Sequence, residues 1–185
     1  MAKMSGTLGD STQEQALLRA VALWAAECAE RALPLFEQRH PTDTRPREAI
    51  AAGRAFAQGK QRDKHLRIVA LAAFRAGKDV DEPSKYAARA ASLAAAVAYT
   101  HTDLQTDQQG VRQAQHLLGP AVNAALALEM AADSDPNVGD TEVQRAIERA
   151  PSEVRHLLKY LPPQPPEGER LAVLFSDIDS ALRGA

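Results

Sequence analysis

The chain has a single cysteine, Cys28, so no internal disulfide can form, and a lone thiol on an apolar helical stripe suits a reducing cytoplasm. Aromatic residues make up only 4% of the 185 positions and β-branched residues are few, which disfavours a β-sandwich or barrel. The glycines never cluster: there is no Walker loop, no G-x-G-x-x-G and no G-x-S-x-G, so neither a phosphate cradle nor a nucleophile elbow is expected and no cofactor is called for. Apolar runs such as 93–99 are far too short to span a bilayer, and MAKMSGTLGDS lacks the apolar centre of a signal peptide. The formal net charge of −2 gives no global case for nucleic acid or an anionic membrane. These absences together lead to the expectation of a soluble cytoplasmic protein with no membrane partner.

What is present is alanine, about one residue in five, and a core that must be built from Leu, Ala and Val. The expected fold is all-α, an irregular multi-helix bundle or short helical solenoid of about six to eight helices. Residues 1–10 read as a polar, disordered N-terminus. Ser11-Thr12-Gln13-Glu14 has the form of a capping box ahead of Leu17, Val21, Trp24, Cys28 and Leu35, which recur at helical spacing up to His40-Pro41. A short helix follows around Ile50, Arg54 and Phe56, with Gly59 as its stop. The third, from about 63 to 77, turns Leu66, Val69, Ala70, Ala73 and Phe74 inward and Lys64, Arg67, Arg75 and Lys78 outward.

Asp81-Glu82-Pro83-Ser84 opens a fourth helix whose alanine-dense body suits close approach at the centre of the fold. A fifth is expected over 111–132, kinked or broken at Pro120, and 133–137 terminates it. Short helices near 141–150 and 152–161 complete a helical domain spanning 11–161. A proline-rich linker, 162–166, precedes an amphipathic helix at 167–185 with Leu171, Leu174, Phe175, Ile178 and Leu182 on one face. That face either docks on its own domain or forms a partner-binding or homodimer-forming helix.

Charge is polarised along the chain. Residues 39–78 hold ten Lys/Arg against three Asp/Glu, a net of +7; residues 100–185 hold seven against thirteen, a net of −6. Arg45, Arg47, Arg54, Arg62, Lys64 and Arg67 are the candidate partner-binding residues, with 133–153 as an acidic counterpart. The basic stretch lacks interleaved aromatics and any recognition-helix motif, so nucleic acid ranks below protein as its partner. A doubled Glu-x-x-His, Glu37 with His40 and Glu153 with His156, has the i, i+3 spacing of di-metal carboxylate bundles, with Glu27, Glu30 and Glu129 as extra ligands. Both pairs, however, sit at expected helix ends. His101, Asp103, Asp107 and His116 form a looser cluster without ligand spacing. Trp24, Cys28, Phe36, Phe74 and Leu93 read as structural core.

The segment Leu23-Trp24-Ala25-Ala26-Glu27-Cys28-Ala29-Glu30-Arg31, then Leu33-Pro34-Leu35-Phe36-Glu37, Arg45-Pro46-Arg47 with Ala49-Ile50, and Gly53-Arg54-Ala55-Phe56-Ala57, resembles the opening of a bacterial family labelled putative immunity protein and associated with polymorphic toxin systems. The alanine-rich block 87–99 and Pro151-Ser152-Glu153-Val154-Arg155 are similar to later segments of that family, so the resemblance runs over roughly 20–160. It implies an all-α, non-catalytic protein whose partner is another protein, a toxin that it binds and neutralises. Where the family pattern carries histidines in the third and fourth helices, this chain has Phe74, Leu93 and Tyr99, so a ligand role for those histidines does not carry over.

Overall fold

The computed structural model describes residues 12–99 and 108–184, and these are all-helical: eight α-helices and one 3₁₀ turn, with no strand among them. The capping box at 11–14 and the cluster members His101, Asp103 and Asp107 lie outside the described residues or side chains.

Helix α1, Thr12–Arg39, is the longest. Val21, Trp24, Ala25, Ala29, Ala32 and Phe36 are among the many residues it buries, and the helices that begin at Arg45, Glu82, Gln108 and Ser152 pack on it. Pro34 is carried inside the helix, which still ends just before His40-Pro41. Helix α2, Arg45–Ala57, follows a tight turn, with Pro46 in its first turn where a missing N–H costs nothing. Gly59, at φ +116°, follows the end of α2 in a conformation that side chains with a Cβ rarely adopt. Helix α3, Lys64–Ala76, is capped by Asp63, whose carboxylate accepts from the backbone N–H of His65 at 2.9 Å.

Helix α4, Glu82–Ala96, is capped by Asp81, which accepts from both the N–H and the hydroxyl of Ser84. It sits between α1, α2, α3 and α5, as its alanines suggested. Gly53 of α2 lies so close to it that a Cβ there would stand 2.9 Å from the Ala94 carbonyl oxygen. Ser92 donates its hydroxyl to the Ala70 carbonyl of α3 at 2.7 Å, so α3 and α4 also meet almost backbone to backbone. The 3₁₀ turn Val97–Tyr99 extends α4.

Helix α5, Gln108–Ala131, is continuous across Pro120. The break expected there does not occur: Pro120 and its neighbours 117–127 are buried, so packing on α1 and α4 holds the helix together across the missing hydrogen bond. Helix α6, Pro136–Arg149, begins five residues earlier than expected. The stretch 133–137 read as a terminator is also an initiator: Asp133 and Ser134 have positive φ and reverse the chain, and the Asp135 carboxylate caps the next helix by accepting from Asn137 N–H at 3.0 Å. Helix α7, Ser152–Leu158, is two turns long.

Helix α8, Arg170–Gly184, packs on α5, α6 and α7, burying Leu174, Phe175, Ile178 and Leu182. Its apolar face is therefore covered by the chain itself. Three polar contacts fix the proline-rich approach: buried Asp179 accepts from the Gln164 N–H and from Arg183, while the Gln164 side chain donates to the Val111 carbonyl. At the start of α8 the Arg170 guanidinium grips buried Glu129 of α5 through hydrogen bonds of 2.8–3.1 Å, and reaches Asp140 of α6 at 2.6 Å.

Candidate protein-binding face

The basic stretch divides in two once its partners are known. On α2 the arginines are engaged within the chain. Arg47 makes a two-pronged pair with Glu37 of α1, both contacts at 2.6 Å, and Arg54 does the same with Glu30 at 3.1 and 2.6 Å. Arg45 grips Asp43 in the preceding turn, and that guanidinium holds the Asp43 carboxyl below the usual carboxylate range. Arg47 and Arg54 thus cross-brace α1 and α2, while Arg45 ties the turn to the start of α2. The acidic residues that neutralise them come from α1 and the α1–α2 turn, while the C-terminal acids pair elsewhere: Glu142 with Arg31, Glu129 and Asp140 with Arg170, and Asp179 with Arg183.

The second group lies on and around α3. Arg62 donates to the Ala98 carbonyl at 3.2 Å and lies over the Tyr99 ring, Arg67 stacks on the same ring at 4.5 Å, and the Tyr99 hydroxyl donates to the Asp63 carbonyl. Lys64, Arg75 and Lys78 are exposed and have no carboxylate partner among the described residues. Helix α3 itself contains no Asp or Glu.

Between these cations the helix is apolar on its outer side. Ile68 is 58%, Leu71 48% and Phe74 45% exposed, three of the five large hydrophobic residues that the described chain leaves open. This corrects the placement of Phe74 in the core. The inner face of α3 is Leu66, Val69, Ala70, Ala73 and Ala76, and the close approach of α4 at Ala70 leaves room there for alanine but not for phenylalanine. Sequence periodicity missed the site because α3 is apolar on both sides. The other core expectations divide: Trp24, Cys28 and Phe36 are buried, and Leu93 is half-buried against Gly119.

The metal reading does not fit the geometry. Glu37 and His40 sit at the C-terminal end of α1, where Glu37 is taken by Arg47 and the His40 ring packs on Phe36. Glu153 and His156 line a cleft with Ala16 and Leu17 near the other end of the same helix. Twenty residues of helix separate Leu17 from Glu37, about 30 Å, far beyond the ~3.5–4 Å spacing of a two-metal site. Among the described residues no group of three or more His, Cys, Asp and Glu is placed to hold a metal ion. Cys28 is not a nucleophile candidate either: burial first, then Glu27 and Glu142, push its thiol far above the ordinary range, and the adjoining cleft of about 120 Å³, lined by both of these carboxylates, disfavours the thiolate. No described helix is long and apolar enough to cross a membrane.

A family model described as Imm-5 like putative immunity protein matches residues 11–105, the part of the chain that holds α1 to α4 and therefore the α3 face. The match is shorter than the 20–160 span of the resemblance, and Pro151–Arg155 lies outside it. No curated protein and no solved structure matches the chain.

Proposed function

The chain belongs to the Imm-5 like putative immunity protein family, and from that membership we propose that it is a non-catalytic cytoplasmic protein that neutralises a toxin by binding it directly. The observation that supports this reading is the outer side of α3, where Ile68, Leu71 and Phe74 stand exposed among cations within the part of the chain that the family shares. A binding protein of this kind works by occlusion and charge complementarity, and it gains from a rigid surface because little order has to be imposed on association. Here α3 is held by backbone-close packing on α4, and α2 beside it is braced to α1 by Arg47 and Arg54.

Co-expression with toxins encoded beside its gene tests the proposal. The expected result is that cells survive one of these toxins only when the chain is present, and that the two proteins co-purify as a stoichiometric complex. If none of the neighbouring toxins is neutralised or bound, the reading is wrong.

A further inference from the structure

We infer that the occupant of the α3 face is an amphipathic segment of an acidic protein, helical or extended, that presents an apolar row between carboxylates; this rests on the binding role proposed above and assigns its surface and chemistry. Two ridges cross on the outer side of α3. Lys64, Ile68, Leu71 and Arg75 follow one another at helical spacing, and so do Arg67, Leu71 and Phe74, with Lys78 just past the end of the helix and Leu71 at the intersection. Each ridge has an apolar centre and a cation at either end. From Lys64 to Arg75 the face is about 16 Å long, the span of three helical turns.

Charge complementarity selects among occupants. A second copy laid α3 on α3 would oppose cation to cation whether parallel or antiparallel, because both ends of the face are positive. The acidic side of another copy would make a heterologous, head-to-tail contact, which builds a ring or a filament instead of a two-fold pair. An anionic bilayer would meet the same cations, but it would also meet a molecule of net charge −2 whose C-terminal part carries −6, and a three-residue strip on a helix clamped in a bundle offers little to insert. An acidic protein segment matches the cations at both ends and covers Ile68, Leu71 and Phe74 between them. Arg45, Arg47 and Arg54 fall outside this surface because Asp43, Glu37 and Glu30 already occupy them.

The probe is a synthetic 16-residue helical peptide with a row of leucines on one face and glutamates at both ends of that row, set against its counterpart with lysines in place of the glutamates. Fluorescence anisotropy with the full chain should show the glutamate peptide binding at least tenfold tighter. Leu71→Asp and Phe74→Asp should each weaken it at least tenfold, and the double variant Lys64→Glu, Arg75→Glu should reverse the preference. Lys159→Glu, just past the end of α7 and away from the face, should leave affinity within twofold, and circular dichroism should show every variant folded, because the altered side chains are exposed. Equal binding of the two peptides, binding of neither, or indifference to Leu71→Asp overturns the inference. So does self-association, or binding to phosphatidylserine vesicles, that Leu71→Asp abolishes. The outcome is separable from that of the function itself: a toxin neutralised equally by the wild type and by Leu71→Asp refutes the α3 surface and leaves neutralisation standing, whereas a wild type that neutralises nothing refutes neutralisation whatever the peptides do.

Discussion

Replacing Arg170 by Ala should cost the fold about 3 kcal/mol. The Glu129 carboxylate is 5% exposed and receives its charge compensation from the Arg170 guanidinium, which is itself 30% exposed and is held more firmly protonated by its hydrogen bonds to Glu129 and then Asp140. Removing one partner of a buried pair typically costs about 3–5 kcal/mol because the other charge is left uncompensated, and the partial exposure of Arg170 places this case at the lower end. For a chain of this size that corresponds to a fall in Tm of about 6–12 °C. Urea denaturation followed by circular dichroism measures it directly, as a lower midpoint with an unchanged slope. The double variant Glu129→Leu, Arg170→Met should sit within about 1 kcal/mol of wild type, since it removes the desolvation penalty with the pair. A loss under about 1 kcal/mol for Arg170→Ala, or a double variant as damaged as the sum of its singles, would refute the picture of α8 as latched through a buried carboxylate.

Gly53→Ala should cost about 1–3 kcal/mol, read as a lowered Tm, because its Cβ would meet the Ala94 carbonyl at 2.9 Å and two helix backbones would have to part. Asp81→Ala should lose about 1 kcal/mol, since the carboxylate caps α4 through Ser84; a matching Ser84→Ala variant should account for part of it in the same denaturation assay. The Cys28 thiol should ignore a disulfide reagent at pH 8 in the folded chain and react promptly in urea. Because its folded pKa is raised, the stability it supplies is present below the ordinary thiol value of 9.0 and is lost as pH rises beyond it, so Cys28→Ala should flatten the decline in Tm above that pH. Trp24, the sole tryptophan, is 2% exposed and donates to the Ala146 carbonyl, so its emission should be blue-shifted and resist iodide; red-shifted, quenchable emission would contradict the α1–α6 contact.

The architecture was legible wherever a local signal and the global packing agreed. Asp63 and Asp81 cap the helices they precede, and the alanines of α4 do occupy a centre where other helices come close. Pro120 and Asp135 show where local reading fails. Pro120 reads as a kink or a break, but burial on both sides carries α5 through it unbroken, and an Asp-Pro pair that ends one helix also starts the next. The proposed binding face was half legible: the run of cations was visible, but which were available depended on where α1 put Glu30 and Glu37, a fact no window of sequence contains. Phe74 was hidden for a different reason. On α3 the alanines face in and three larger residues face out, the reverse of the usual preference, because the limit on α4's approach outweighs the gain from burying a ring.

That reversal divides labour within a single helix. Leu66, Val69, Ala70 and Ala73 decide where α3 lies, while Ile68, Leu71 and Phe74 touch little of the interior. Substitutions at the outer three positions can therefore change what the surface fits while leaving the fold nearly as stable as before, since exposed sites away from caps and pairs usually shift stability by no more than about 0.5 kcal/mol. On the proposed role, a lineage of such chains confronted with a changing adversary can rewrite the α3 surface one residue at a time, with no compensating change in the core.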